Sequence, residues 1–469
     1  MKYLLLITLV WMMISAHSYS QTSSQEFNIR YETSVKGEMK IIGNNIVNRQ
    51  DRRNKANVPF DDRSNKVKMN DEFDMQYIDI DDNPDTFSSS SANFSFEGKE
   101  NAKVIYAGLY WTATYPYALG VLKGKNYKAK QSNRENPDNV MIKTPSNEEY
   151  SLVKGELIFD GIGDSSLEGV APYVYYADVS QLLTNSSMVE GEYTVANVRA
   201  ANGHIAGGVA AGWALVLVYE SLESSEKKII TYDGFSTINN QPKTFNFRGF
   251  LTPKENAFQA KVMGAVLEGD FSISGDKVMI YNPVTEVSLD LETGTRSARN
   301  FFNSGITEND TFVMNRNPAS KNTLGFDIFS FDIPNENQLL IPNGTNSLGL
   351  TFTRSADQYY LFLTALQIEN IRKEIDVNQF SEIGSENSNF KYYVVVGVYI
   401  NRHNMLKQVE KLKKLGYEAH TIYNEERNLN YIYIEKYDTY KEASLKAEEL
   451  KAIANIPDTW VLKMEDLSE

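Results

Sequence analysis

The sequence predicts a multidomain protein in which a large all-β body precedes a small α+β domain. Three observations lead to this prediction. Short runs of β-branched and aromatic residues, which are enriched in strands, recur between residues 102 and 370. Turn pairs such as Asp160-Gly161 and Asn202-Gly203 separate these runs, as is typical of antiparallel sheets. After about residue 390 the pattern changes to strands that alternate with amphipathic helices.

The body, residues 102–370, is therefore expected to be an all-β sandwich or jelly roll, built as one sandwich or as two packed sub-sandwiches. The runs that predict its strands are 104–111, 155–159, 174–176, 193–198, 213–219, 229–232, 278–281, 311–314, 328–331, 349–352 and 359–368.

The composition excludes several functional classes. The chain has 469 residues, a formal net charge of −14 and no cysteine. Without cysteine there is no disulfide framework, no Cys-ligated metal, no thiol nucleophile and no lipidated cysteine. The acidic excess argues against a general nucleic-acid partner, because contacts to phosphates need clustered Lys and Arg.

The first 20 residues have the pattern of a secretory signal peptide. Lys2 is positive, residues 3–14 are apolar, and Ser18 and Ser20 occupy the −3 and −1 positions before a cleavage ahead of Gln21. The apolar run is shorter than the ~20 residues of a membrane-spanning helix. We therefore predict that residues 1–20 are removed on export and that the mature chain has no transmembrane segment. An uncleaved N-terminal anchor is the alternative.

Residues 21–101 are polar with short apolar pulses, and we assign them to the β-body. They contain an acidic cluster in which Asp79, Asp81, Asn83 and Asp85 are candidate ligands of Ca²⁺, a hard ion that takes six to eight oxygens. The cluster lacks the glycine at position six and the glutamate at position twelve of an EF-hand loop. A solvated acidic loop is the alternative that this departure favours, and no other cofactor is predicted.

Residues 371–389 lose the strand pattern and are rich in Ser, Asn and Glu, so we predict a linker there. Residues 390–466 then predict the order βαββαβ, with two helices on one face of a four-stranded sheet. The first helix begins at Asn401 and ends at Gly416, and a capping box at Thr439 and Glu442 opens the second.

This C-terminal pattern resembles a SPOR domain, the envelope module that binds peptidoglycan glycan strands lacking stem peptides. The resemblance lies in residues 392–399 (YYVVVGVY), 415–417 (LGY), 431–434 (YIYI), 439–443 (TYKEA) and 460–463 (WVLK). It implies that the helix-free face of the sheet binds glycan, with exposed tyrosines that cover sugar C–H faces. The candidate glycan-binding residues are Tyr393, Val395, Val398, Leu429, Tyr431 and Tyr433.

The same face departs from the family pattern in being more apolar. Val398 follows Gly397 where the family often has a small polar residue, and Val395 stands where a polar residue such as Gln is frequent. A SPOR-like fold used for protein–protein contact is therefore an alternative.

The body resembles a β-sandwich domain of large surface and adhesin-like proteins of Bacteroidota, including proteins of gliding motility and type IX secretion. The segments that carry the resemblance are 107–111, 176–179, 193–198, 211–219 and 232–235. This resemblance implies no enzymatic role.

No catalytic residue is predicted. His204 is the one histidine of the mature β-body, and it lies in a glycine-rich turn, 202–208, without a Gly-x-Ser-x-Gly nucleophile motif. The alternative is a periplasmic hydrolase that acts on glycan, which would need two carboxylates facing each other in a cleft.

These observations predict a non-catalytic, exported protein of the periplasm or of the envelope associated with the outer membrane. Its C-terminal domain would bind peptidoglycan glycan strands. Its β-body would be presented to an envelope or surface protein, such as a component of an adhesin, gliding or secretion apparatus.

Overall fold

A computed structural model describes residues 24–51, 55–64, 66–184, 186, 188–239, 241–356, 358–371, 390–399, 402–424, 429–453 and 459–465. The chain divides into two compact units, residues 1–374 and 375–469, and each is described by itself. The predicted signal peptide, and the predicted linker apart from Ile371, lie outside the described residues.

The first unit is built on one large sheet, which has 11 strands in the described residues. In spatial order they are β10 (Glu156–Asp160), β11 (Pro172–Asp178), β5 (Lys103–Thr114), β14 (Ala211–Glu220), β1 (Ser24–Asn45), β15 (Glu226–Ile238), β25 (Tyr359–Glu369), β17 (Ala260–Gly269), β23 (Gly325–Asp332), β20 (Ile306–Glu308) and β21 (Thr311–Phe312).

Three smaller sheets cover the outer surfaces of the large one. The first contains β22 (Arg316–Asn317), β4 (Ser89–Phe94), β12 (Gly191–Ala196), β8 (Asn139–Lys143) and β9 (Ser151–Lys154). The second contains β2 (Val47–Gln50), β3 (Asp74–Tyr77), β13 (Asn202–Gly203), β6 (Leu119–Lys123) and β7 (Asn126–Gln131). The third contains β16 (Lys243–Arg248), β24 (Ser347–Thr353), β18 (Lys277–Tyr281) and β19 (Ser288–Asp290). Short helical segments are α1 (Gln181–Thr184) and two 3₁₀ turns, Asn70–Glu72 and Glu336–Gln338.

The N-terminal strand β1 joins the two halves of this sheet. Residues 24–36 pair with β15 and residues 37–45 pair with β14, both antiparallel. A Cβ at Gly37 or Gly43 would collide with a backbone carbonyl oxygen of β14, so glycine permits the close approach of the two strands. We call β10, β11, β5 and β14 with the two five-stranded sheets the first half, and the remaining strands of the body other than β1 the second half.

Apolar residues separate into three cores, as expected for packed sandwiches. One core lies within the first half and one within the second half. The third lies between the halves. The two faces of strand β14 contribute to different cores, because its side chains alternate. Trp213 and Leu215 enter the first core, whereas Ala214 and Val216 enter the third. The predicted all-β sandwich body is confirmed, in the form of two packed sub-sandwiches.

Aromatic side chains fill the core between the halves. The rings of Phe159 and Phe235 stack with centroids 3.8 Å apart, and the centroids of Tyr110 and Phe362 lie 6.4 Å apart. In each pair one ring comes from the first half and the other from the second. The two halves therefore share both a strand and a core.

The second unit has the predicted order βαββαβ. Its elements are β26 (Phe390–Tyr399), α2 (Arg402–Lys414), β27 (His420–Asn424), β28 (Leu429–Tyr437), α3 (Tyr440–Ile453) and β29 (Trp460–Glu465). The antiparallel sheet has the order β27-β28-β26-β29, which is a split βαβ arrangement. Val394, Val396, Ile432 and Ile434 pack against the two helices, as the alternation of the strands predicts. None of the helices in the described part of the chain is long and apolar enough to cross a membrane.

A buried ion pair stabilises the second half of the body. Nη1 of Arg296 lies 2.9 Å from Oδ1 of Asp327, and the two side chains are 1% and 0% exposed. Every nitrogen of the guanidinium group donates a hydrogen bond, and Asp327 also accepts three backbone N–H groups. The pair therefore ties the loop that contains Arg296 to strand β23.

We predict that Asp327→Asn lowers the free energy of unfolding by about 3–5 kcal/mol, because Arg296 keeps its buried charge and loses its counterion. The control is Asp290→Asn, which breaks the half-exposed pair with Lys277 at 2.8 Å and should cost less than about 1 kcal/mol. Urea unfolding of the full chain measures both changes. Equal losses in the two variants would contradict the prediction.

Candidate functional site

The helix-free face of the C-terminal sheet carries a cluster of aromatic and apolar side chains, which we call the aromatic face. It contains the six residues that the sequence predicted there, Tyr393, Val395, Val398, Leu429, Tyr431 and Tyr433, together with Ile422 and Leu462. Strand register adds Trp460, opposite Val395, and His420, opposite Tyr433. All four strands contribute to the aromatic face.

The expectation that the tyrosines of this face are exposed is wrong for Tyr393 and Tyr431. These side chains are 2% and 3% exposed, and Val395 is 0% exposed. The reason is that the apolar residues noted as departures from the family pattern pack with the tyrosines as a small second core. These three residues therefore support the face from within.

Accessible rings surround this buried centre. Trp460 is 40% exposed and its ring centroid lies 6.2 Å from that of Tyr431. The ring of His420, an exposed residue, stacks on half-buried Tyr433 at 5.2 Å, with an interplanar angle of 29°. Tyr393 holds Tyr433 in turn by an edge contact at 4.9 Å. A flat ligand with C–H faces and hydroxyl groups can stack on Trp460 and Tyr433 and form hydrogen bonds at their polar edges.

Sequence analysis did not include Trp460 and His420 among the candidate site residues. Side-chain alternation could have placed these two residues on the aromatic face if the register of their strands against β26 and β28 were known. That register is not visible in the sequence.

The acidic cluster at residues 79–85 forms a hydrogen-bonded turn. Oδ1 of Asp79 accepts a hydrogen bond from Ser89 at 2.8 Å, and Oδ1 of Asp81 accepts one from Thr86 at 3.0 Å. Asn83 Oδ1 accepts the backbone N–H of Asp85 at 2.9 Å. Within the described ranges, no group of three or more His, Asp or Glu side chains is arranged to hold a metal ion. The carboxylates of Asp79, Asp81 and Asp85 therefore do not form such a group in this structure, and Ca²⁺ binding by these residues together with Asn83 stays a prediction.

A cleft of about 510 Å³ lies between the two halves of the body, and we call it the junction cleft. Ser166, Val170 and Gly207 line it from the first half, the last of these within the glycine-rich turn that also contains His204. The second half contributes mainly charged and polar residues: Glu268, Asp270, Arg354, Gln358 and Tyr360. Sequence analysis missed this site because its walls come from segments about 100 residues apart.

Two carboxyl groups of the second half, those of Asp270 in the cleft wall and of the buried Asp276, have a raised pKa. Burial, followed by the negative charges of Asp71, Asp327 and Asp276, raises the pKa of Asp270 to about 7. Burial also raises the pKa of Asp276 to about 7, against hydrogen bonds from backbone N–H groups such as that of Phe302. Asp276 is 0% exposed, and its Oδ1 has no hydrogen-bond partner among the described residues.

These raised pKa values predict that the body is more stable at pH 5 than at pH 8. A carboxyl whose pKa is higher in the folded state contributes stability below its unfolded pKa, and that stability is lost as the pH rises through its folded pKa. For Asp276 the difference amounts to a few kcal/mol. Urea unfolding between pH 5 and pH 8 measures it. Asp276→Asn removes the titrating group, so the variant should lose less stability over this range, and an unchanged pH dependence in the variant would contradict the assignment.

Comparison with known proteins does not identify this chain. No family model matches it, and no curated protein matches it. Among solved structures it is similar to the major capsid protein P2 from bacteriophage PM2, with 8% identity over 61% of this chain and 99% of that chain. The TM-score is 0.17, which is too low to carry an argument about fold or function. What the described residues define is a β-sandwich body and a separate small α+β unit.

Proposed function

We propose that this protein is a non-catalytic component of a bacterial cell envelope that binds peptidoglycan glycan strands through its C-terminal unit. The observation that carries the proposal is the aromatic face, on which Trp460 presents an exposed ring and Tyr433 a half-buried one on the helix-free side of a βαββαβ unit. Aromatic rings stack on the apolar faces of sugars, while their N–H and O–H groups form hydrogen bonds. The resemblance to SPOR domains supports the same ligand class.

The export signal predicted at residues 1–20 supports a location in the periplasm or in the envelope associated with the outer membrane. The chain has no cysteine to carry a lipid, so noncovalent binding to glycan is the means of retention that we propose. The β-body is then available to a protein partner. Its resemblance to Bacteroidota surface proteins favours a partner in an adhesin, gliding or secretion apparatus.

Sedimentation with purified sacculi tests the proposal. The full exported chain should pellet with sacculi, and more of it should pellet after an amidase has removed the stem peptides. Trp460→Ala and Tyr433→Ala should each weaken binding by about tenfold, because a stacked aromatic ring contributes on the order of 1–2 kcal/mol.

The matched control is Tyr423→Ala. Tyr423 is 51% exposed on strand β27, but its neighbour Ile422 belongs to the aromatic face, so alternation directs Tyr423 to the other side of the sheet. This variant should pellet like the wild type. If the wild type pellets no more than an unrelated acidic protein, the glycan role is wrong. The apolar side chains of the face that remain partly accessible, Val398 and Leu429, would then favour the second candidate, protein–protein contact through the same face.

A third candidate is a hydrolase acting on glycan, and one observation favours it: Glu268 and Asp270 line the same cleft. The sacculus assay separates this candidate from the first. A hydrolase would release soluble reducing ends, and Glu268→Gln would abolish the release. The non-catalytic proposal predicts no release by either protein.

A further inference from the structure

The junction cleft contains a carboxylate in an unusual backbone setting. Glu268 has a φ of +65°, in the left-handed region that non-glycine residues seldom adopt. It lies at a shift in register between β17 and β23, where Leu267 pairs with Phe326 and Gly269 pairs with Gly325. Its side chain is 5% exposed and forms part of the cleft wall. The bulge therefore brings a charged group to a place where an ordinary strand would bring an apolar one.

A buried amide holds this carboxylate in position. Nδ2 of Asn70, a residue that is 2% exposed, donates a hydrogen bond to Oε2 of Glu268 at 3.0 Å. Gly208 leaves the room that Asn70 needs, because a Cβ at position 208 would collide with its side-chain amide. Gly208 belongs to the glycine-rich turn of the first half, whereas Glu268 belongs to the second half. Both halves thus contribute to fixing one carboxylate.

The cleft also contains a group of opposite charge. Arg354 donates a hydrogen bond from Nη1 to the carbonyl oxygen of Ala356 at 3.1 Å. Its Nε has no hydrogen-bond partner among the described residues. Beside it, Nε2 of Gln358 donates to the hydroxyl group of Tyr360 at 3.2 Å. The wall therefore offers anionic, cationic and neutral hydrogen-bonding groups to one ligand.

We infer that the junction cleft binds a small zwitterion, such as an amino acid or a short peptide. Glu268 and Asp270 would receive its ammonium group, and Arg354 would receive its carboxylate. Tyr360 and Gln358, which line the same cleft, would hydrogen-bond the polar atoms of its backbone. The inference concerns the β-body and does not depend on glycan binding by the C-terminal unit.

Size and charge both agree with this ligand class. A volume of about 510 Å³ lies within the roughly 300–1,000 Å³ of small-molecule sites, and such sites often lie between domains or halves. Two acids and one arginine give the wall a net negative charge. Burial, more than the neighbouring carboxylates Asp71, Asp327 and Asp276, raises the pKa of Asp270, and a bound ammonium group would favour its ionised form.

Isothermal titration calorimetry of the full chain at pH 7 tests the inference. The probe is L-alanyl-L-alanine, and its partner probe is N-acetyl-L-alanyl-L-alanine, in which a small neutral acetamide replaces the ammonium group. We expect the free dipeptide to bind at least about tenfold more tightly than the acetylated one, because only the free dipeptide can form charge-assisted hydrogen bonds with Glu268 and Asp270 through an ammonium group. Glu268→Gln and Arg354→Gln should each weaken binding of the free dipeptide by a similar factor.

The control variant is Glu292→Gln, which removes one negative charge from an exposed residue outside the cleft wall and should bind like the wild type. Trp460→Ala should also bind the dipeptide normally, so failure of this inference is distinguishable from failure of glycan binding. Thermal melts report whether each variant folds. If Glu268→Gln does not fold, dipeptide binding by Arg354→Gln, which changes a half-buried residue, tests the inference instead. Equal binding of the two probes, unchanged binding in both cleft variants, or binding of glucosamine but not of the dipeptide would each overturn the inference.

Discussion

The position of strand β1 is the constraint on which the rest of the body depends. Strands β14 and β15 are consecutive in sequence and would pair as a hairpin in a simpler sheet, but β1 lies between them and pairs with both. Backbone hydrogen bonds therefore connect residues 24–45 to strands about 200 residues later. The closing of such a long loop costs entropy that only the completed sheet and its three cores offset. The two halves consequently form one structure although each has its own core.

The junction cleft is a product of that arrangement. Its walls belong to different halves, and Asn70, which lies between β2 and β3, connects the glycine-rich turn of the first half to Glu268 of the second. A carboxylate held by a buried amide at a bulge needs rigid surroundings, since a small displacement of either half would break its hydrogen bond.

The C-terminal unit is packed differently from the body. Its four short strands bury apolar residues on both faces, so only the rings at the margin of the aromatic face remain accessible.

Particular residues explain how much of this could be predicted. Although β17 was not among the predicted runs, several strands of the body were predictable because runs such as Trp213–Tyr219 are apolar and buried on both faces. Strand β1 was not, because its buried positions include Asn44 and Asn45, whose amides satisfy backbone carbonyls, and much of the rest is half exposed. The alternation of side chains correctly predicted that six residues share one face of the C-terminal sheet. The burial of Tyr393 could not be predicted, because it depends on neighbours from three other strands, whose register the sequence does not contain. The junction cleft could not be predicted from the sequence, because only the tertiary structure brings the segments of its walls together.

Hydrogen exchange of the full chain in mild denaturant, read by mass spectrometry, tests most directly whether β1 makes the body one cooperative unit. The account predicts that peptides from β14 and β17, which belong to different halves, become labelled together with peptides from β1, at a single free energy of opening. The C-terminal unit can open separately. If β17 exchanges through an opening that leaves β1 and β14 protected, the halves are independent and the account is contradicted.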